Sequence, residues 1–153
     1  MEIKSFKKDV YYFRLKEDNK MITVNTKQII NRDIHCVWKT ILDVEKYNIW
    51  RSDLGKIELI NEEQFIEYTN KGYKTYFTVT DIEPYKRWEF NMENTNIKGH
   101  WVGVFIQKED KTFISFTESI TVKKIIMKPF VSLYVKKQQK QFIKDLKKFL
   151  EWK

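Results

Sequence analysis

Residues 21–30, MITVNTKQII, alternate along the chain, with Ile22, Val24, Thr26, Gln28 and Ile30 on one face, which predicts a strand. Asn31, Arg32 and Asp33 interrupt it, and Asp33 is placed to cap a helix by accepting from the free amides of the first turn. Val37, Trp38, Ile41 and Leu42 then fall at helical spacing, a short amphipathic helix, and DVEKYNIW extends it as a second short helix or turn that ends before Gly55. From residue 56 onward strands dominate: 56–60, 64–69, 73–82, 87–92, 99–107 and 112–122 are short and rich in β-branched or aromatic residues. The breaks NEE, NKG, EPYK and KEDK are turn material. They are too short for parallel crossovers, so the strands form an antiparallel meander. Pro129 opens the last element, a position that suits proline at a helix start. Beyond it Val131, Val135, Phe142, Ile143, Leu146, Phe149 and Leu150 share one face, and Lys136, Lys137, Lys140, Lys144, Lys147 and Lys148 crowd the rest. No other helix matches this one in length, so its apolar face must lie on the sheet. The expected fold is α+β: a curved antiparallel sheet of about seven strands wrapped around a long C-terminal helix, with two short helices after the first strand. A sheet curved around a helix leaves a hollow between them, a natural ligand site.

Composition narrows the class. With 153 residues, 42% of them hydrophobic and 16% aromatic, the chain is long enough for one domain with a real core and too apolar for disorder. No apolar run is long enough to span a bilayer. The N-terminal MEIKSFKKDVYYF lacks an apolar stretch followed by a small-residue cleavage site, so no signal peptide is expected. Cys36 is the only cysteine, which fits a reducing cytoplasm and excludes an internal disulfide. One Cys with His35 and His100 cannot build the usual zinc site, no Asp-rich loop offers one for a hard cation, and no Gly-rich phosphate loop is present, so neither metal nor cofactor is expected. Cys36 has only the adjacent His35 nearby, and neighbours on a helix do not face each other, so nucleophilic catalysis is poorly served.

Charge is unevenly spread. Residues 1–122 carry 19 basic and 19 acidic residues, whereas residues 123–153 carry ten lysines and two acids, so the whole net charge of +8 sits at the C-terminal end. The ordinary reading is a solvated lysine face on the last helix. Weak attraction to an anionic membrane surface or an acidic partner stays open. Nucleic acid is disfavoured, because the chain has 25 Lys against four Arg and no exposed aromatics interleave the basic helix.

Candidate chemistry lies in the last hairpin. A turn centred near Asp110 pairs residues whose numbers sum to about 220, which puts Val102, His100, Phe116 and Glu118 on one mostly apolar, inward face. His100 and Glu118 are then diagonal neighbours, able to orient a ligand or act as a general base. A one-residue shift or a bulge would put them outside instead. Tyr68 and Tyr76 could direct hydroxyls inward, although such tyrosines more often reach water. Gln138 and Gln139 interrupt the apolar face of the long helix one turn before Phe142. Trp38 and Trp50 brace the short helices against the sheet's open end, with Trp50 a candidate for the cavity floor. The expected ligand-lining set is Trp50, Tyr68, Tyr76, Trp88, His100, Val102, Phe116, Glu118, Tyr134 and Gln138.

Several short patterns carry a resemblance: Asp33-Ile34-His35-Cys36-Val37-Trp38, then Leu42-Asp43 with Tyr47 and Trp50. Gly99-x-Trp101-x-x-x-Phe105, Thr112, Thr117-Glu118 and Phe142-x-x-Asp145-Leu146-x-x-Phe149-Leu150 add to them. Together they resemble the START/Bet v 1-like superfamily (SRPBCC, including the polyketide cyclase/dehydrase-like families). The resemblance covers about residues 20–151 and leaves residues 1–20 as an N-terminal extension to a single domain, 21–153. The sequence departs from the pattern at His35, Cys36 and Lys111. The resemblance implies a cavity for a small hydrophobic or amphipathic molecule. Its leading functional implication is binding or carriage of that molecule. The alternatives are a cyclase- or dehydratase-type enzyme using His100 and Glu118, and a co-chaperone-like module contacting an acidic partner.

Overall fold

Asp33 ends the first strand and starts the first helix, as its chemistry predicts: its carboxylate accepts from the amides of His35 and Cys36 at 3.0 and 3.2 Å. The computed structural model describes residues 20–152, so residues 1–19 of the expected extension lie outside the described residues. Strand β1 (Met21–Ile30) leads into α1 (Ile34–Leu42), a single 3-10 turn and the short α2 (Tyr47–Trp50). Six strands follow: β2 (Leu54–Leu59), β3 (Gln64–Thr69), β4 (Lys74–Glu83), β5 (Arg87–Glu93), β6 (Ile97–Lys108) and β7 (Lys111–Val122). A 3-10 turn over Ile125–Met127 then enters α3 (Lys128–Glu151), with Pro129 in its first turn.

The seven strands form one antiparallel sheet in the order β1-β7-β6-β5-β4-β3-β2, so β1 closes against the last strand and the rest is a meander. A register irregularity between Val79 and Asp81 on β4, and another between Leu54 and Lys56 on β2, bend the strands and help the sheet curl. Helix α3 lies in the curl, burying Val135, Gln139, Ile143, Leu146 and Leu150. Two anchors fix its C-terminal half. Asp145 accepts from the amide and hydroxyl of Ser52, both at 2.8 Å, and Arg32 donates to the carbonyl of Leu150 at 2.8 Å. The Arg32 bond satisfies one of the free carbonyls at the helix end.

The expected register of the last hairpin is off by one. Glu109 and Asp110 form a tight two-residue turn, with Glu109 at φ 58° and Lys108 opposite Lys111. Partner numbers therefore sum to 219, and Trp101, not His100 or Val102, shares a face with Glu118. The inward set on β6 is Ile97, Gly99, Trp101, Gly103 and Phe105. Gly103 explains why this face reads weakly in sequence. A Cβ there would stand 2.3 Å from the Trp101 indole, so the missing side chain is the space in which the ring lies.

Candidate functional site

Aromatic side chains from five adjacent strands pave the concave face. Phe65 on β3 stacks on Phe77 of β4 with centroids 4.8 Å apart, and Phe77 meets Phe90 of β5 at 5.3 Å. Phe90 stacks on Trp101 of β6 at 4.7 Å, and Trp101 reaches Phe116 of β7 at 4.8 Å. Such offset and edge contacts favour a fixed ring order beyond simple burial. Between this floor and α3 runs a cavity of about 900 Å³. Its mouth lies between the β3–β4 turn (Asn70, Lys71, Tyr73), the β5–β6 turn (Asn94, Asn96), the 3-10 turn at Met127 and the start of α3 (Phe130, Tyr134). The Tyr73 hydroxyl ties the two turns together, bonding Thr95 at 2.7 Å and accepting from Asn96 at 3.0 Å.

Polar groups gather at the inner end. Arg51, the residue after α2, is 7% exposed and extends between the rings of Tyr47 and Phe142, 5.1 and 5.2 Å from their centroids. Its guanidinium donates to Glu67 on β3 and to both oxygens of Asp53, at 3.1 and 2.7 Å. Burial disfavours the guanidinium charge, but the Glu67 and Asp53 carboxylates outweigh that and hold its pKa above the ordinary value. Burial pushes Glu67 up despite the pull of Arg51. It also pushes up Tyr47, whose hydroxyl donates to the carbonyl of Ile41.

Glu118 on β7 is 9% exposed, and its Oε2 has no hydrogen-bond partner among the described residues. Burial, reinforced by the charge of Glu67, raises its pKa to about 7; Gln139 and Arg51 pull the other way. Gln139 on α3 is 5% exposed and accepts from the Thr26 hydroxyl through Oε1; its Nε2, the donor that favours the charged form of Glu118, completes a full hydrogen bond with no described residue. The indole Nε1 of Trp88, on β5, is in the same condition. Glu118, Gln139 and Trp88 border the cavity, and each carries one buried polar atom without a hydrogen-bond partner among the described residues. Buried polar atoms are normally paired, so three unpaired ones on residues that border a single cavity stand out.

Of the residues expected to line the site, Trp88, Phe116, Glu118, Tyr134 and Gln138 do so. The other five do not. His100 points from the opposite face of β6, where its ring nitrogens bond Asn91 and Glu89 at 2.6 and 3.0 Å, so no His100–Glu118 pair exists. Val102 shares that outer face because of the same register. Tyr68 also faces outward: Glu67 turns in toward Arg51, and alternation sends Tyr68 out to donate to Glu58 at 2.8 Å. Tyr76 is 44% exposed beside Lys74. Trp50 is packed under α3, 5.1 Å from Phe142 and stacked on Phe149, and is a brace rather than a floor. The sequence reading missed Arg51, Glu67 and Trp101 as site residues and took Gln138 over Gln139. The glycines flanking Trp101 were the one available signal.

A long helix gripped by a seven-stranded antiparallel sheet over an internal cavity defines the helix-grip, START/Bet v 1-like class of ligand-binding scaffold. The chain belongs to the family described as polyketide cyclase/dehydrase and lipid transport, whose model matches residues 21–151. Among curated proteins no sequence relative matches. Solved structures share the fold at low identity. A START superfamily protein from Mycobacterium smegmatis is 13% identical over 85% of this chain and 97% of its own, with a TM-score of 0.74. The Zhui aromatase/cyclase from Streptomyces sp. R1128 is 12% identical over 86% and 94%, with a TM-score of 0.75. Norcoclaurine synthase from Thalictrum flavum, solved with dopamine and hydroxybenzaldehyde, is 9% identical over 84% and 86%, with a TM-score of 0.67. Among the described residues, no cluster of three or more His, Cys, Asp or Glu could hold a metal, and no helix is long and apolar enough to cross a membrane.

Proposed function

We propose that this protein binds and carries a small amphipathic molecule, apolar body against the aromatic floor and polar end at Glu118, Gln139 and Trp88. The observation that carries this reading is the roughly 900 Å³ cavity bordered by Glu118, Gln139 and Trp88, each with a buried polar atom unpaired among the described residues. That volume is in the range of small-molecule sites, and the ratio of many apolar walls to few polar groups is typical of them. Trp88 Nε1 and Gln139 Nε2 are donors, so the ligand's inner end carries an acceptor such as a carbonyl. Glu118, with a pKa of about 7, accepts from or donates to a neighbouring hydroxyl according to pH. The single cysteine, Cys36, is free and suits a reducing cytoplasm.

A second reading rests on Glu118 alone. A carboxyl group with pKa near neutrality inside a cavity is suited to general acid–base catalysis, and the structural neighbours include two aromatase/cyclases. The carrier reading is preferred because the expected basic partner, His100, lies on the far side of the sheet.

Native mass spectrometry of protein taken from its own host, before and after incubation with the neutral amphipathic fluorophore 1-aminoanthracene, tests the proposal. The expected result is a one-to-one complex, either a retained small molecule or the probe. Detection of the bare chain alone in both samples would overturn it.

A further inference from the structure

Large apolar side chains stand in solvent where the chain passes from the sheet into α3. Ile126 is 73% exposed, Phe130 65% and Leu133 69%, with Ile125 beside them at 54%. One turn further along the helix, Leu133 borders a shallow groove with Lys136, Lys137, Lys140 and Lys144. The outer face of α3 is thus an apolar tip continued by a lysine stripe. The charge is unbalanced locally: Ser119 through Lys144 contains seven lysines and no acid. Lys123 reaches Glu93 at 3.3 Å, and the other six form no ion pair among the described residues.

We propose that this face docks on an anionic membrane surface, with Ile126, Phe130 and Leu133 in the headgroup–acyl boundary and the lysine stripe over acidic headgroups. Charge complementarity and the apolar tip act together, as in interfacial helices. The chemistry favours a membrane over a protein partner. Protein interfaces are depleted in Lys and enriched in Arg, and the sequence from Ser119 to the C-terminus has no Arg. A lipid surface asks only for diffuse positive charge, which lysine supplies without fixed geometry. Position adds a further reason. Phe130 belongs both to the tip and to the cavity mouth, so docking sets the mouth against the bilayer, where an amphipathic molecule partitions. The docking surface stands whether or not the cavity reading holds.

Co-sedimentation of the full chain with phosphatidylcholine vesicles, with and without one-third phosphatidylserine, tests this. Partitioning should be strong only on the anionic vesicles and should fall at high salt. Ile126→Ser with Leu133→Ser, and separately Lys136→Glu with Lys140→Glu, should each lower it by about tenfold or more. None of these four residues lines the main cavity, so 1-aminoanthracene binding and thermal unfolding should be unchanged, which separates lost docking from lost folding. Absence of partitioning, equal partitioning on both vesicle types, or insensitivity to the substitutions would overturn the proposal. So would conversion of a dimer to a monomer by Ile126→Ser/Leu133→Ser, which marks a contact between copies. Retention on polyglutamate that depends on Ile126 and Leu133 as strongly as vesicle binding does would mark an acidic protein partner and also overturn it.

Discussion

Replacing Arg51 with methionine is expected to lower the unfolding free energy by about 3–5 kcal/mol, because it leaves a buried carboxylate without its counter-charge. Arg51 is held between Tyr47 and Phe142 and bonded to Glu67 and Asp53. Methionine keeps much of the stem's packing, so the loss isolates the charge. Glu67, already pushed up by burial, would then rise further. Such a group is protonated in both states at acid pH and has no effect there. As pH climbs past the ordinary carboxylate range the unfolded chain releases its proton and the folded chain resists, so the deficit grows. Urea titrations should therefore show a smaller defect at pH 4 than at pH 8. Adding Glu67→Met should restore much of the loss, since an apolar pair in place of a buried ion pair is often neutral. A loss below about 1 kcal/mol at neutral pH, the size of an exposed ion pair, would mean that Arg51 does not organise the inner end of the cavity.

Glu118→Gln should do the opposite and stabilise the fold. The carboxyl's pKa is raised from 4.5 to about 7. Below 4.5 it is protonated folded and unfolded, so glutamine and glutamic acid differ little. Between 4.5 and about 7 the unfolded chain ionises while the folded chain keeps its proton, and native stability declines by about 1.4 kcal/mol for each pH unit. Above 7 the penalty is complete at about 3 kcal/mol, and Glu118→Gln should be more stable by that order. A stability difference that is the same at pH 4 and pH 8 would contradict the raised pKa and, with it, the dry environment of the inner cavity. A residue that lowers stability at neutral pH in this way is what a ligand-holding group looks like.

Arg51 and Glu118 differ in how visible they are in the sequence. Glu118 was legible because β7 alternates cleanly: Ile114, Phe116, Ile120 and Val122 mark the inward face, and a glutamate in that row stands out. The helix cap at Asp33 and the apolar face of α3 were legible for a similar reason, since capping and periodicity are local. His100 was misplaced because the turn at Glu109–Asp110 has two residues, not three, and a change in turn length by one inverts the partner strand's faces. On β6 the outward row of His100, Val102, Val104 and Ile106 reads as more continuously apolar than the true inward row, where Gly103 clears space for Trp101. Arg51 and Glu67 escaped notice because isolated charges read as surface, and only the fold brings residues sixteen apart into one buried pair. Gln138 and Gln139 both border the cavity, but a residue step turns the helix by roughly 100°, which puts Gln139 squarely inside and Gln138 at its edge.

A carrier of the proposed kind accepts its ligand in the space between α3 and the aromatic floor. Val135 borders it from α3 and is 2% exposed, so Val135→Trp would put an indole into that space. Fluorescence titration of 1-aminoanthracene into the native chain and into Val135→Trp, with folding of both verified by thermal unfolding, tests this directly. Saturable one-to-one binding to the native chain, weakened at least about tenfold in the filled variant, is the predicted result. Non-saturable binding, or equal affinity for both chains, would contradict it.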